Sequence, residues 1–203
     1  MKILAVETAT NVCSISLMMD DKIVTTIEEN IPRKHASMLP KFYYELMNRQ
    51  PFKLSELDGI AVSIGPGSFT GLRIGLSYAK GLAYSGHLPI IPVPTLEGIA
   101  QGCNVDNPFH VLLFSHRDLI YHQQFNSNKS PDTPPEIMSW NDLKNKLNDY
   151  QVFQINCNKF IETQGADASS KHIAGLALSN FDRWVHKTPY TLVPNYIAKF
   201  EIN

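Results

Sequence analysis

Two short stretches hold the residue types from which a phosphate or metal site can be built. In Ile64-Gly65-Pro66-Gly67-Ser68-Phe69-Thr70-Gly71-Leu72-Arg73-Ile74-Gly75, two glycines flank a proline after an apolar segment and before a run of small residues. Gly65 and Gly67 permit backbone angles that side-chained residues avoid, Pro66 fixes one φ between them, and Ser68 or Thr70 can cap the helix that follows. Such a strand-turn-helix junction aims N–H groups at one point, where an anion can bind, and serves equally as a tight turn with no ligand. It is not a P-loop, because Leu72-Arg73 follows Gly71, nor a dinucleotide fingerprint, because Thr70 stands where the third Gly belongs. The second stretch, Glu7-Thr8-Ala9-Thr10, closes an apolar run; an acid and hydroxyls there can contact Mg2+ or phosphate, or satisfy their own turn. The candidate nucleotide or anion contacts are therefore Glu7, Thr8, Gly65, Gly67, Ser68, Thr70 and Arg73.

Other reactive groups form no set. His35 opens a helix alone, whereas zinc needs three or four ligands, so capping or a surface contact is the expectation. His116-Arg117-Asp118-Leu119 copies the start of a kinase catalytic loop, but the Asn it needs is Gln123 and the other kinase motifs are missing, which leaves a hairpin turn. His87, His110, His122, His172 and His186 show no ligand spacing. With no G-x-S-x-G and no Cys paired to a His, neither a catalytic residue nor a metal site is assigned.

The elements that must position these residues follow from apolar periodicity. Ile3–Val6, Val12–Met18 and Ile23–Ile27 read as an antiparallel meander, and His35–Met47 as a helix in which Pro40 must fall in the first turn. Gly59–Ile64 is a buried strand, Leu72–Ser85 a helix ended by Gly86, and Pro89–Pro92 a short strand. Further on, His110–Ser115 and Ile120–Phe125 form a hairpin across Arg117-Asp118, Ser127–Pro135 a loop, Ser139–Leu147 a capped helix, Gln151–Asn156 a strand and Ala168–Asn180 a last helix. The second half is an abbreviated echo of the first, with a domain boundary near residue 100: 1–100 and 101–203.

The helix after the glycine turn carries Gly71, Gly75, Ala79 and Ala83 at every fourth position, flanked by Leu72, Leu76 and Tyr78. This stripe admits a second helix closely, either the chain's own packing or another chain. Phe42, Tyr43 and Tyr44 on the preceding helix favour the second, since aromatic residues are enriched at interfaces. On that expectation a bulky residue at Gly75 weakens a partner complex and leaves the monomer folded.

Composition narrows the class. The chain has 203 residues, 18% charged, with a formal net charge of -1, which argues against an independent nucleic-acid surface. Cys13, Cys103 and Cys157 are scattered and odd in number, as buried or free thiols of a reducing cytosol are. No segment has the length to span a bilayer and Glu7 comes too early for a secretory signal, giving a cytoplasmic expectation with no membrane.

Ile3-Leu4-Ala5-Val6-Glu7-Thr8-Ala9-Thr10, Cys13-Ser14-Ile15-Ser16-Leu17, the His35-to-Leu46 helix with Leu39-Pro40, and the glycine run 65–75 together resemble the bacterial TsaB (YeaZ) family over the first hundred residues. The resemblance implies an α/β, actin-like ASKHA (ribonuclease H-like) fold of two related βββαβα domains, the second abbreviated. It implies a non-catalytic partner of the transferase TsaD in making N6-threonylcarbamoyladenosine at position 37 of tRNAs that read ANN codons, alongside a TsaE-like ATPase and a TsaC-type enzyme. The implied interface, with TsaD or in a homodimer when alone, takes in His35, Leu39, Phe42, Tyr43, Leu46, Gly71, Leu72, Gly75, Leu76, Ala79 and Ala83. ATP or ADP with Mg is implied only at the junction with the partner, and the paired metal histidines of TsaD-type proteins are replaced by His35 alone. Family members usually have Asp at position 7, and a motif like I-D-A-R where this chain has Phe114-Ser115-His116-Arg117; Pro194-Asn195-Tyr196 keeps the family's ending. The rivals are an ASKHA-type phosphotransferase using Glu7 with Mg-ATP, and a glycoprotease-like peptidase, which lacks a nucleophile-base pair.

Overall fold

The structure, a computed structural model, describes residues 1–197. Strands β1 (Lys2–Glu7), β2 (Val12–Met19) and β3 (Lys22–Asn30) form the expected antiparallel meander. Asp20 and Asp21 take the left-handed angles, φ 46° and 68°, that a two-residue hairpin turn requires. Helix α1 (His35–Arg49) leads to β4 (Gly59–Gly65), parallel to β1, and α2 (Phe69–Gly86) leads to β5 (Ile90–Pro94), parallel to β4. The sheet order is β3-β2-β1-β4-β5.

After α3 (Thr95–Gly102), a second sheet repeats that plan with β6 (Phe109–His116), β7 (Leu119–Phe125), β8 (Glu136–Ser139), α4 (Trp140–Leu143), β9 (Gln151–Ile155) and β10 (Gln164–Gly165). Its order, β8-β7-β6-β9-β10, matches the first strand for strand in sequence position and in sense. The copy is shortened. Four-residue α4 stands in place of α1, and a turn closed by Phe160 and Ile161 N–H groups on the Cys157 carbonyl stands in place of α2.

The sheets exchange covering helices. Leu96, Ile99 and Ala100 of α3 join Phe109, Val111, Phe125 and Phe153 of the second sheet. The last long helix, α5 (Ser170–Ser179), crosses the first sheet instead, where Ile173, Ala174 and Ala177 meet Ile3, Ala5, Met18 and Ile91; the short α6 (Phe181–Trp184) follows it. Hydroxyls fix its first turn: Ser170 Oγ lies 2.6 Å from both Ser14 Oγ and Ser16 Oγ, and Ser170 N–H donates to Ser14 Oγ at 3.1 Å.

Several local expectations need correction. Pro40 lies in the second turn of α1, where Ala36 and Pro40 are both exposed, so water can satisfy the carbonyl that Pro40 cannot. Helix α2 starts at Phe69, Ser68 rather than Thr70 caps it by accepting from Gly71 N–H at 3.2 Å, and His87 in the left-handed conformation ends it rather than Gly86. Strands β8 and β10 and helices α3 and α6 were not expected; the helix from Ser139 is regular only to Leu143.

The small-residue stripe faces inward. Gly71, Gly75, Ala79 and Ala83 are all buried, and α2 lies so close to the end of β1 that a Cβ on Gly71 would stand 2.0 Å from the Thr8 carbonyl oxygen and one on Gly75 2.2 Å from Thr8 Oγ1. Thr8 Oγ1 donates to the Gly71 carbonyl at 2.8 Å. Gly81 is the opposite case, exposed with open space around it. Gly75 is thus a folding position, which reverses the expectation for a bulky residue there. Gly71→Ala, whose methyl meets backbone, is expected to lower stability by about 1–3 kcal/mol. Gly81→Ala is expected to raise it by about 0.5–1 kcal/mol, the helix cost of glycine; urea unfolding of both variants checks the opposite signs.

Candidate functional site

The candidate anion residues do not come together as a ligand cradle. Three N–H groups of the glycine turn have protein partners: Gly65 N–H donates to Thr95 Oγ1 at 3.0 Å, Ser68 N–H to the Ala9 carbonyl at 2.7 Å, and Gly71 N–H to Ser68 Oγ. Gly65, at φ 120°, is covered by the C-terminal segment, where a Cβ would stand 2.5 Å from the Asn195 carbonyl oxygen. Asn195 N–H donates to the Ile64 carbonyl at 2.7 Å. Arg73 is held to the same segment: its guanidinium lies 3.7 Å from the centre of the Phe69 ring and its Nε donates to Tyr196 Oη at 2.9 Å.

Glu7 and Thr8 are sealed in the core, 1% and 0% exposed. The Glu7 carboxylate accepts from Ala9 N–H. Burial, opposed only in part by that bond, raises its pKa to about 7. An open cleft of about 880 Å³ does lie between the sheets, walled by Thr10, Asn11, Ser68, Thr70, Phe114 and His116 among others. Glu7 is not among its lining residues, so it cannot present a carboxylate to a metal-bound nucleotide there. Of the sequence candidates, Gly67, Ser68 and Thr70 border the cleft; Glu7, Thr8, Gly65 and Arg73 do not.

His35 is 5% exposed and neither caps nor contacts solvent: its Nε2 lies 3.1 Å from the Val12 carbonyl oxygen, pinning α1 to β2. Among the described residues no group of three or more His, Cys, Asp or Glu is arranged to hold a metal ion. The three cysteines are buried and unpaired, and burial pushes each thiol up to about 12.

The expected interface residues divide. Leu39, Phe42, Leu46, Leu72 and Leu76 are at most 4% exposed, so with the glycine and alanine stripe they build the core beneath the helices rather than a docking surface. The surface above them is still apolar. Met38, Tyr43 and Met47 of α1 and Ile74, Tyr78 and Leu82 of α2 are half-buried against that core, and Tyr43 meets Tyr78 edge-to-face at 6.2 Å. Ser77, Gly81 and Ser85 run beside them as a second, exposed row of small residues. The buried row is the one that Gly and Ala periodicity marks in the sequence; the outward one lies two positions further along the helix and is mostly serine.

The Glu7 environment has a pH signature. Its carboxyl keeps a proton in the folded chain where the unfolded chain, at 4.5, has lost it, so stability present below 4.5 is lost as pH rises through about 7. Glu7→Gln is expected to remove that loss, about 3 kcal/mol between pH 4.5 and 8; urea unfolding of both proteins across this range measures it.

Against known proteins, the model of the tRNA N6-adenosine threonylcarbamoyltransferase family, TsaD, matches residues 23–130. The tRNA threonylcarbamoyladenosine biosynthesis protein TsaB of Escherichia coli K12 is 40% identical over 102 residues, which is 50% of this chain and 44% of that protein. TsaB of Bacillus subtilis 168 is 31% identical over 122 residues, 60% of this chain and 53% of that protein. The matched region spans about half the length of these relatives. YeaZ from Pseudomonas aeruginosa superposes with a TM-score of 0.81 at 21% identity, covering 96% of this chain and 99% of that one. The two like-ordered sheets are thus the actin-like ASKHA fold. No helix among the described residues is long and apolar enough to cross a membrane. The chain belongs to the tRNA N6-adenosine threonylcarbamoyltransferase family.

Proposed function

We propose that this chain acts in tRNA threonylcarbamoyladenosine synthesis as the non-catalytic partner of a TsaD-type transferase, docking through the outward face of α1 and α2. The observation that carries the reading is the half-exposed row Met38, Tyr43, Met47, Ile74, Tyr78 and Leu82 beside the open small-residue row Ser77, Gly81, Ser85. Apolar side chains at helical spacing next to residues without bulk let a partner helix approach closely and bury area worth about 25 cal/mol per Å² before entropic costs. The same face serves self-association when the partner is absent, as a homodimer. The inaccessibility of Glu7 and the occupied glycine turn support a scaffold over a phosphotransferase. ATP or ADP with Mg then belongs to the junction with the partner, a TsaE-like ATPase to the assembled complex, and tRNA to the partner's surface, since the net charge of -1 offers no basic field.

The test mixes the purified chain with the TsaD homologue of the same organism and measures complex mass by light scattering on a sizing column. Wild type is expected to form a heteromer, and Gly81→Arg and Tyr78→Glu to weaken it at least tenfold with unfolding midpoints near wild type. A complex unaffected by both variants contradicts this interface; no complex with wild type contradicts the scaffold role.

A further inference from the structure

Two histidines that the sequence left unconnected meet inside the second sheet. His110 on β6 and His122 on β7 are 1% and 3% exposed, and His110 Nδ1 lies 2.9 Å from His122 Nε2. The row continues at both ends. His110 Nε2 lies 3.0 Å from Asn148 Oδ1, and His122 Nδ1 lies 3.2 Å from Glu136 Oε1 on β8. Lys146 Nζ also reaches the Glu136 carboxylate, at 3.1 and 3.0 Å from its two oxygens, and the Tyr150 ring lies 5.8 Å from that of His110.

Counting protons along this row shows how it works. Asn148 Oδ1 accepts from Tyr150 N–H at 3.0 Å, so it is an acceptor and His110 Nε2 must carry hydrogen. One proton must then lie between the rings and another between His122 Nδ1 and Glu136 if all three contacts are hydrogen bonds. That is three protons on two imidazoles, one more than two neutral rings possess. A neutral pair leaves either two lone pairs facing each other at 2.9 Å or a lone pair facing the carboxylate. The observed geometry is that of a pair holding one extra proton, balanced by Glu136, whose charge the Lys146 and His122 hydrogen bonds favour over the opposing effect of burial.

We propose that His110 and His122 form a proton-operated latch: uptake of one proton ties edge strand β8 onto the second sheet through the His122–Glu136 contact, and its loss releases that contact while His110 keeps its bond to Asn148. The facing charged and titratable groups are Glu136 from β8 and Lys146 and Tyr150 from the segment before β9. Burial holds both rings below the usual histidine range, so the proton is taken up only on acidification below that range. Every residue of β8 is only half-buried, and its ladder is the four-residue pairing with β7, so the contact between His122 and Glu136 at the end of that ladder adds to a short edge.

Amide hydrogen exchange of the full chain as a series from pH 8 to pH 4.5, corrected for the intrinsic pH dependence of exchange, tests the latch, with imidazole 15N shifts followed in parallel to locate the proton uptake. Protection of residues 136–139 is expected to rise about tenfold on acidification, the weight of one charge-assisted hydrogen bond. The two rings are expected to take up their proton together, with His110 keeping hydrogen on Nε2 throughout. In Glu136→Gln the amide can donate to the neutral His122 Nδ1, so the segment is expected to be protected across the series. Independent titration of the rings, protection in wild type that does not change with pH, or a Glu136→Gln variant that keeps the wild-type pH response would each overturn the proposal.

Discussion

The close approach of α2 to the end of β1 is the constraint on which the rest of this molecule depends. Gly71 and Gly75 carry no Cβ because Thr8 occupies that space, and the Thr8 hydroxyl closes the contact on the Gly71 carbonyl. Once α2 is seated there, its rotation about its own axis is fixed. Leu72, Leu76, Ala79 and Ala83 must point into the core, and Ile74, Tyr78 and Leu82 must stand half out of it. Glu7, next to Thr8 at the end of β1, is a buried acid and lies off the cleft. One steric fact thereby orients the apolar helix face.

The first half of the fold was legible because its signals are local. In the meander β1 is a short apolar run and β2 alternates apolar with small or polar residues, α1 and α2 carry clear helical periodicity, and the glycine turn announces a strand-helix junction. The second half hid its plan because its elements are short. Helix α3 follows β5 with no loop between them, and β10 has only two residues, so its pairing with β9 depends on tertiary contact. Leu96, Ile99 and Ala100 do show helical spacing, with Glu97 in the first turn, a signal that was there to be read.

The functional residues were legible by type more than by direction. A period of four found a small-residue stripe on α2, but two faces of that helix have it, and the sequence does not say which meets β1. The glycine turn had the composition of an anion site; three of its N–H groups have Thr95, Ala9 and Ser68 as partners, the first two set by tertiary placement. His110 and His122 stand twelve residues apart, which matches no ligand pattern, yet the β6–β7 hairpin register brings them side by side.

The central claim is that the α1–α2 surface, and not the cleft, is where this protein meets its partner. The most direct measurement is a hydrogen-exchange footprint of the chain with and without the TsaD homologue. New protection over residues 38–47 and 74–85, with residues 113–121 and 156–159 unchanged, is the predicted result. Protection concentrated at the cleft residues, with the helix face left as exposed as in the free chain, would contradict the account.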